Sequence, residues 1–272
     1  MIEKIIYKNH INEIIEFGDA DAFANENTLH DFEWTVTSKN NRISSLDKKL
    51  TKKQIPVVIK CSSDEEGIAL RNRLFEICEK DVLSMNHGRL IIGDYYLKCF
   101  VTSCKYSGYT KSKQYAKMTL TIQTDYPYWV KETSTTFGIS ELSEGSNLDY
   151  NNDFPYDYSN IQINKLLNTD FVPSNFKIRV YGPCVNPSIY IGNHEYNVNV
   201  TVDEGEYLTI DSSEKTITLT DNIGSVTNCF NLRNKDSYVF EKIPVGELNV
   251  SSTTKFIFDI VILEERGVPK WI

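Results

Sequence analysis

The chain has 272 residues, enough for about two domains that each bury a sizeable core, and its 40% hydrophobic and 24% charged residues are those of an ordinary globular protein. Against 37 Asp and Glu stand 29 Lys and Arg, and a net charge of −8 argues against a nucleic-acid grip, which depends on clustered cations. The opening run MIEKIIYKNHINEIIEFG is broken by polar residues every few positions, so neither a signal-peptide core nor a membrane insertion is expected, and folding in a cytoplasm is.

Residues 2–7 and 11–17 are short apolar runs separated by Lys8-Asn9-His10 and predict a β-hairpin. Phe32, Trp34 and Val36 then alternate with polar residues as in a strand. Residues 38–54, SKNNRISSLDKKLTKKQ, are polar and basic and read as a loop, solvated or touching a partner. A strand at 55–59 follows, beginning beside Pro56. Ser63 and Glu66 have capping-box spacing, and Leu70, Leu74, Ile77 and Cys78 share one face of the helix that follows. A hairpin comes next, Arg89 to Ile92 and Tyr95 to Val101, turning at Gly93-Asp94. Further strands lie around Cys104 and over 115–124, where Met118, Leu120 and Ile122 alternate with polar residues. Pro127 cannot donate to a ladder and stops that strand. Tyr126, Tyr128 and Trp129 supply rings at this seam, which closes a first domain over 1–133.

Residues 134–174 turn to Ser, Thr, Asn, Asp and Tyr and are expected to be a linker whose aromatics, Phe154, Tyr156 and Tyr158 among them, lie along a surface. From Phe176 onward seven short strands, the sixth SYVFEKI (237–243), are punctuated by turn residues and predict an antiparallel sandwich or barrel over 175–272. The fold class is therefore mainly β: a first sandwich-like or barrel-like domain with one α-helix, then a second antiparallel sandwich.

No catalytic constellation emerges. His10, His30, His87 and His194 are far apart and in no metal-spaced motif, and the nucleophile-elbow, dinucleotide and phosphate-loop patterns do not occur. Asp203-Glu204-Gly205-Glu206 sits between two expected strands and reads as a solvated turn rather than a carboxylate pair or calcium loop. Six scattered cysteines without a Cys-x-x-Cys pair read as reduced structural thiols. No catalytic residue, metal or cofactor is expected.

The second half carries a recognisable pattern: Phe176 to Gly182, then Val185-Asn186-Pro187-Ser188-Ile189-Tyr190-Ile191, then Tyr196, then Glu204 to Asp211, and the ending Glu265-Arg266-Gly267-Val268-Pro269-Lys270-Trp271. With the linker Phe154-Pro155-Tyr156-Asp157-Tyr158 and the Asp125-Tyr126-Pro127-Tyr128 seam, it resembles the distal tail (Dit) proteins of long non-contractile-tailed phages. The resemblance implies a virion structural protein of the tail tip or baseplate, assembled in the host bacterial cytoplasm, whose N-terminal domains form a homohexameric ring and whose galectin-like C-terminal sandwiches point outward. The implied partners are the major tail tube protein, the tail-associated hub or lysin protein, and a receptor-binding protein or host glycan. DNA would pass through an acidic bore without specific binding. Tyr126, Tyr128, Trp129, Phe154, Tyr156 and Tyr158 are the candidate interface residues. A carbohydrate-binding adhesin module, its exposed rings stacking on sugars, is the competing reading.

Overall fold

The computed structural model describes residues 4–18, 22–24, 27–106, 113–138 and 164–270. The fold is mainly β, with antiparallel strand pairs and one long helix. The chain divides into two compact units: Met1–Lys131 with Glu265–Ile272, and Glu132–Glu264. It passes between them twice, each time inside a strand.

In the first unit β1 (Ile5–Lys8) and β2 (Ile14–Phe17) form the expected hairpin. They are followed by β3 (Ala22–Ala24), β4 (Thr35–Lys39), β5 (Arg42–Asp47), β6 (Thr51–Lys60), helix α1 (Asp64–Ser84), β7 (Gly88–Ile92), β8 (Tyr95–Tyr106), β9 (Tyr115–Thr124) and the start of β10 (Trp129–Phe137). One pairing path runs β10-β8-β7-β1-β2 and another β3-β6-β9-β8, so the long β8 belongs to both. Tyr95–Cys99 pair with β7 and Phe100–Tyr106 with β9, and a register shift between Val101 and Ser103 interrupts the second pairing. Alternation does what the sequence predicts: Ile55, Val57 and Ile59 of β6 lie directly opposite Leu120, Met118 and Ala116 of β9, all buried. Each large aliphatic side chain enclosed this way contributes about 1.5–3 kcal/mol.

Helix α1 starts at the expected capping box, with Glu66 N–H donating to Ser63 Oγ and the Glu66 carboxylate accepting from the Ser63 N–H. Leu74, Ile77 and Cys78 face the core. Its last turn is tied down by Asp81, a carboxylate with no exposed surface. That carboxylate accepts from the Tyr7 hydroxyl at 2.6 Å and the His10 backbone N–H at 2.9 Å, and the His10 ring Nδ1 stands 2.5 Å away. Burial, and then the surrounding acidic groups, push the Tyr7 hydroxyl well above its ordinary pKa, so it remains a donor. Gly88 makes the approach possible, since a Cβ there would lie 2.3 Å from both Asp81 Oδ2 and Tyr7 Oη.

The second unit comprises β11 (Asn164–Asn168), β12 (Asn175–Tyr181), β13 (Cys184–Val185), β14 (Ser188–Ile191), β15 (His194–Asn197), β16 (Thr201–Val202), β17 (Tyr207–Asp211), β18 (Thr216–Thr220), β19 (Val226–Asn228), β20 (Gly246–Ser252) and β21 (Phe258–Arg266). The order β19-β18-β17-β12-β21-β10 forms one layer and β11-β20-β14-β15 another. Phe176, Ile178, Leu208, Ile210 and Ile260 from the first share one core with Leu166, Ile189, Ile191 and Val250 from the second, which is a sandwich.

Four local expectations change. Residues 38–54 are largely a β-hairpin rather than a loop, because Asn40 and Asn41, at φ +52° and +59°, make the two-residue turn that joins β4 to β5. The strand expected at 32–36 begins at Thr35 instead, leaving Phe32 and Trp34 in the approach. Residues 237–243 contain turns and one isolated bridge rather than a strand, the Glu241 N–H donating to the Tyr238 carbonyl where the chain reverses. The strand in that region is β20, GELNVSS. The stretch 134–174 contributes strand at both ends, β10 reaching Phe137 and β11 spanning Asn164–Asn168.

Replacing Asp81 by Ala leaves the Tyr7 hydroxyl and the His10 N–H without their buried acceptor and should cost about 3 kcal/mol. Chemical denaturation monitored by Trp fluorescence measures it, and Gly88→Ala should destabilise in the same direction through the steric conflict.

Candidate functional site

The seam after β9 and the root of the β4–β5 hairpin are one structure. Lys48, just past β5, places its ammonium 5.0 Å from the Trp34 ring centre and 5.3 Å from that of Tyr128. It also donates to the carbonyls of Pro127 (3.3 Å) and Gly267 (3.2 Å). A half-buried cation between two ring faces has lost water and gained π-density and carbonyl oxygens in exchange. Beside it the Tyr126 hydroxyl donates to the Glu265 carboxylate, and Tyr126 meets Tyr128 edge to face at 5.4 Å. His87 Nε2 lies 2.9 Å from Asp125, the residue that precedes Tyr126.

The hairpin that projects from this root keeps an apolar face in water. Val36 pairs with Leu46 and Ser38 with Ile43, and Ile43 is 65% exposed. Leu46 and Ile43 are three apart and would face opposite ways on a regular strand. The register shift between Thr37 and Ser38 leaves one extra residue on β5 and returns Ile43 to the face of Leu46 and Val36. The polar and basic composition of 38–54 hides this surface in the sequence; the Asn40-Asn41 turn is the usable signal.

Of the expected interface residues, Tyr126 and Tyr128 are half-buried at the seam. Trp129 is a correction. At 1% exposure it is among the largest fully buried side chains, held inside the first unit where it pairs with Leu97 of β8, so it serves the core. Phe154, Tyr156 and Tyr158 lie outside the described residues.

The second unit carries a cavity of about 610 Å3 lined by Phe230, Tyr238 and Phe240 with Lys215, Arg233 and Lys235. Phe230 stacks on Phe240 at 5.9 Å, and the Arg233 guanidinium sits 4.0 Å from the Phe230 ring centre while donating to the Phe230 carbonyl. The Phe230 ring and the Arg233 guanidinium are thus held by contacts within the unit. The Asp203 to Glu206 segment is a turn, closed by the Glu206 N–H donating to the Asp203 carbonyl.

No protein-family model and no curated protein matches the sequence. Solved structures do. A chain of the phage P2 baseplate in its activated conformation with calcium aligns over 99% of this chain and 100% of its own, with a TM-score of 0.66 at 13% identity. The same baseplate with strontium gives 0.66 at 12%. The SPP1 Dit protein, described as a paradigm of the hub adsorption apparatus in phages infecting Gram-positive hosts, aligns over 96% of this chain and 99% of its own, with a TM-score of 0.52 at 10% identity. The chain has the fold of these phage proteins along nearly its whole length.

Lys48→Ala removes the cation from between Trp34 and Tyr128. It should raise hydrogen exchange of the β4–β5 amides by about tenfold, roughly the loss of one cation–π contact and its hydrogen bonds, while leaving β6 and β9 protected.

Proposed function

We propose that this chain, which has the Dit fold, is a structural subunit of a phage tail tip or baseplate hub. Its copies form a hexameric ring that joins the major tail tube protein to the tail-associated hub or lysin protein and surrounds the path of the ejected DNA. The observation that carries this reading is the extent of the likeness: the match to a baseplate chain covers 99% of this chain and 100% of that one, at a TM-score of 0.66. In this reading the first unit builds the ring, and the second, with its galectin-like sandwich, faces outward towards a receptor-binding protein. Tyr126 and Tyr128, with Phe154, Tyr156 and Tyr158, are its proposed contact residues. The protein resides in the virion after assembly in the host bacterial cytoplasm, and its role is structural rather than enzymatic. The net charge of −8 per copy favours a bore that DNA crosses without adhering.

Sedimentation of the purified full chain at high concentration should give a closed assembly of six copies. A chain that stays monomeric overturns the reading.

The cavity of the second unit favours a second reading, a host-glycan contact that would place Tyr238 and Phe230 against a sugar face. The full chain on a glycan array should then bind a defined set of glycans, and Tyr238→Ala should weaken binding at least tenfold with the fold unchanged by circular dichroism.

A further inference from the structure

The segment between β19 and β20 runs beside β15, the last strand of its layer, and hydrogen bonds fix its course. The Asn199 N–H donates to the Leu232 carbonyl (2.8 Å) and the Asn234 N–H to the Asn197 carbonyl (3.1 Å). Ser237 Oγ donates to the Glu195 carbonyl (2.6 Å), and His194 Nε2 lies 2.9 Å from the Tyr238 carbonyl. The backbone that lines most of the second unit's cavity is therefore tied to the sandwich at four places, although it is not a strand.

Two kinds of side chain line that cavity. Phe230, Tyr238 and Phe240 are rings: Phe230 stacks on Phe240, Tyr238 meets Phe240 edge to face at 5.9 Å, and Tyr238 keeps 52% of its surface exposed. Lys215, from the turn between β17 and β18, Arg233 and Lys235 are cations. Among the described residues none of the three pairs with a carboxylate. Asp236 is the single acid of the lining, which leaves a net +2 in a chain that carries −8. Of the acids next to these residues in sequence, Glu195 accepts the Ser188 hydroxyl at 2.6 Å, and neither Glu214 nor Glu241 lines the cavity. Arg233 spends one N–H on the Phe230 carbonyl and keeps its charge, and a guanidinium has five such donors.

Rings beside unpaired cations suit a ligand that has an apolar face and a negative group. A neutral sugar would use the rings, but it draws nothing from the charge of Lys215, Arg233 and Lys235. A polynucleotide has both flat rings and phosphates, yet its grip needs a basic track longer than one cavity, and the chain as a whole is acidic. We infer that the cavity takes an acidic saccharide, one that bears a carboxylate or a phosphate. Arg233 receives the oxyanion, Lys215 and Lys235 strengthen the field around it, and Tyr238 and Phe230 take the sugar face. The inference rests on the glycan reading and names the class of glycan.

An array that pairs neutral glycans with counterparts bearing glucuronate or a sugar phosphate tests it with the full chain. Each acidic glycan that binds should do so at least tenfold more tightly than its neutral counterpart, and the arm that binds best tells carboxylate from phosphate. Lys215→Glu with Lys235→Glu, at two exposed positions, turns the lining from +2 to −2 and should abolish that preference, whereas Asp236→Asn should increase it. Raising the salt from about 0.1 M to about 1 M shortens the screening length from about 10 Å to about 3 Å and should weaken the acidic glycans alone. Neutral glycans that bind as tightly as acidic ones, a preference that survives the double reversal, or inorganic phosphate or oligothymidylate that binds as tightly as the acidic glycan overturns this inference and leaves the glycan reading standing. An array silent to every glycan overturns the glycan reading, and the inference with it.

Discussion

The buried carboxylate of Asp81 is the constraint on which the first unit depends. A charge with no access to water is tolerated where donors surround it, and Tyr7 from β1 and His10 from the adjoining turn supply them, over a Gly88 too small to intervene. The last turn of α1 is thereby fastened to the first hairpin. Because the helix is gripped at that end and capped at the other by Ser63 and Glu66, its rotation about its own axis is fixed, and so is the side it turns to the solvent. The exposure of Phe75 and Leu83 is thus a consequence of the polar clamp beneath them and not of loose packing.

Legibility in the sequence followed the range of the forces involved. Local signals read correctly: the capping box at Ser63, the period of two in β9, the turn at Gly93, and the proline that ends the seam. Elements that depend on distant partners did not. SYVFEKI has the composition of a strand, yet Val239 and Phe240 both point inward because the chain turns there. GELNVSS has none of that composition and is a strand because β11 and β14 pair with it on either side. Trp129 was legible as an aromatic at a boundary, but its pairing with Leu97, which settles that it faces the interior, is a contact across 32 positions of chain.

The basic segment shows the same lesson from the other side. Its composition is polar and basic, as the sequence shows; what composition could not reveal was that its few apolar residues would be collected on one face by an irregularity in pairing. A pattern of exposed Ile and Leu that looks like noise along the chain becomes a surface once the extra residue on β5 is taken into account. The tools that find cores in sequence, alternation and helical period, assume regular elements and pass over surfaces assembled from irregular ones.

The two strand crossings between the units have a bearing on the order of events during synthesis. Glu265, which receives the Tyr126 hydroxyl, and Gly267, whose carbonyl receives Lys48, leave the ribosome after the entire second unit has been translated. The first unit can collapse around its helix early, but the base of its hairpin is fastened only when those late residues arrive. The sandwich encoded between them has the whole of that interval in which to fold, and the face borne by the hairpin is the last part of the nascent first unit to be secured.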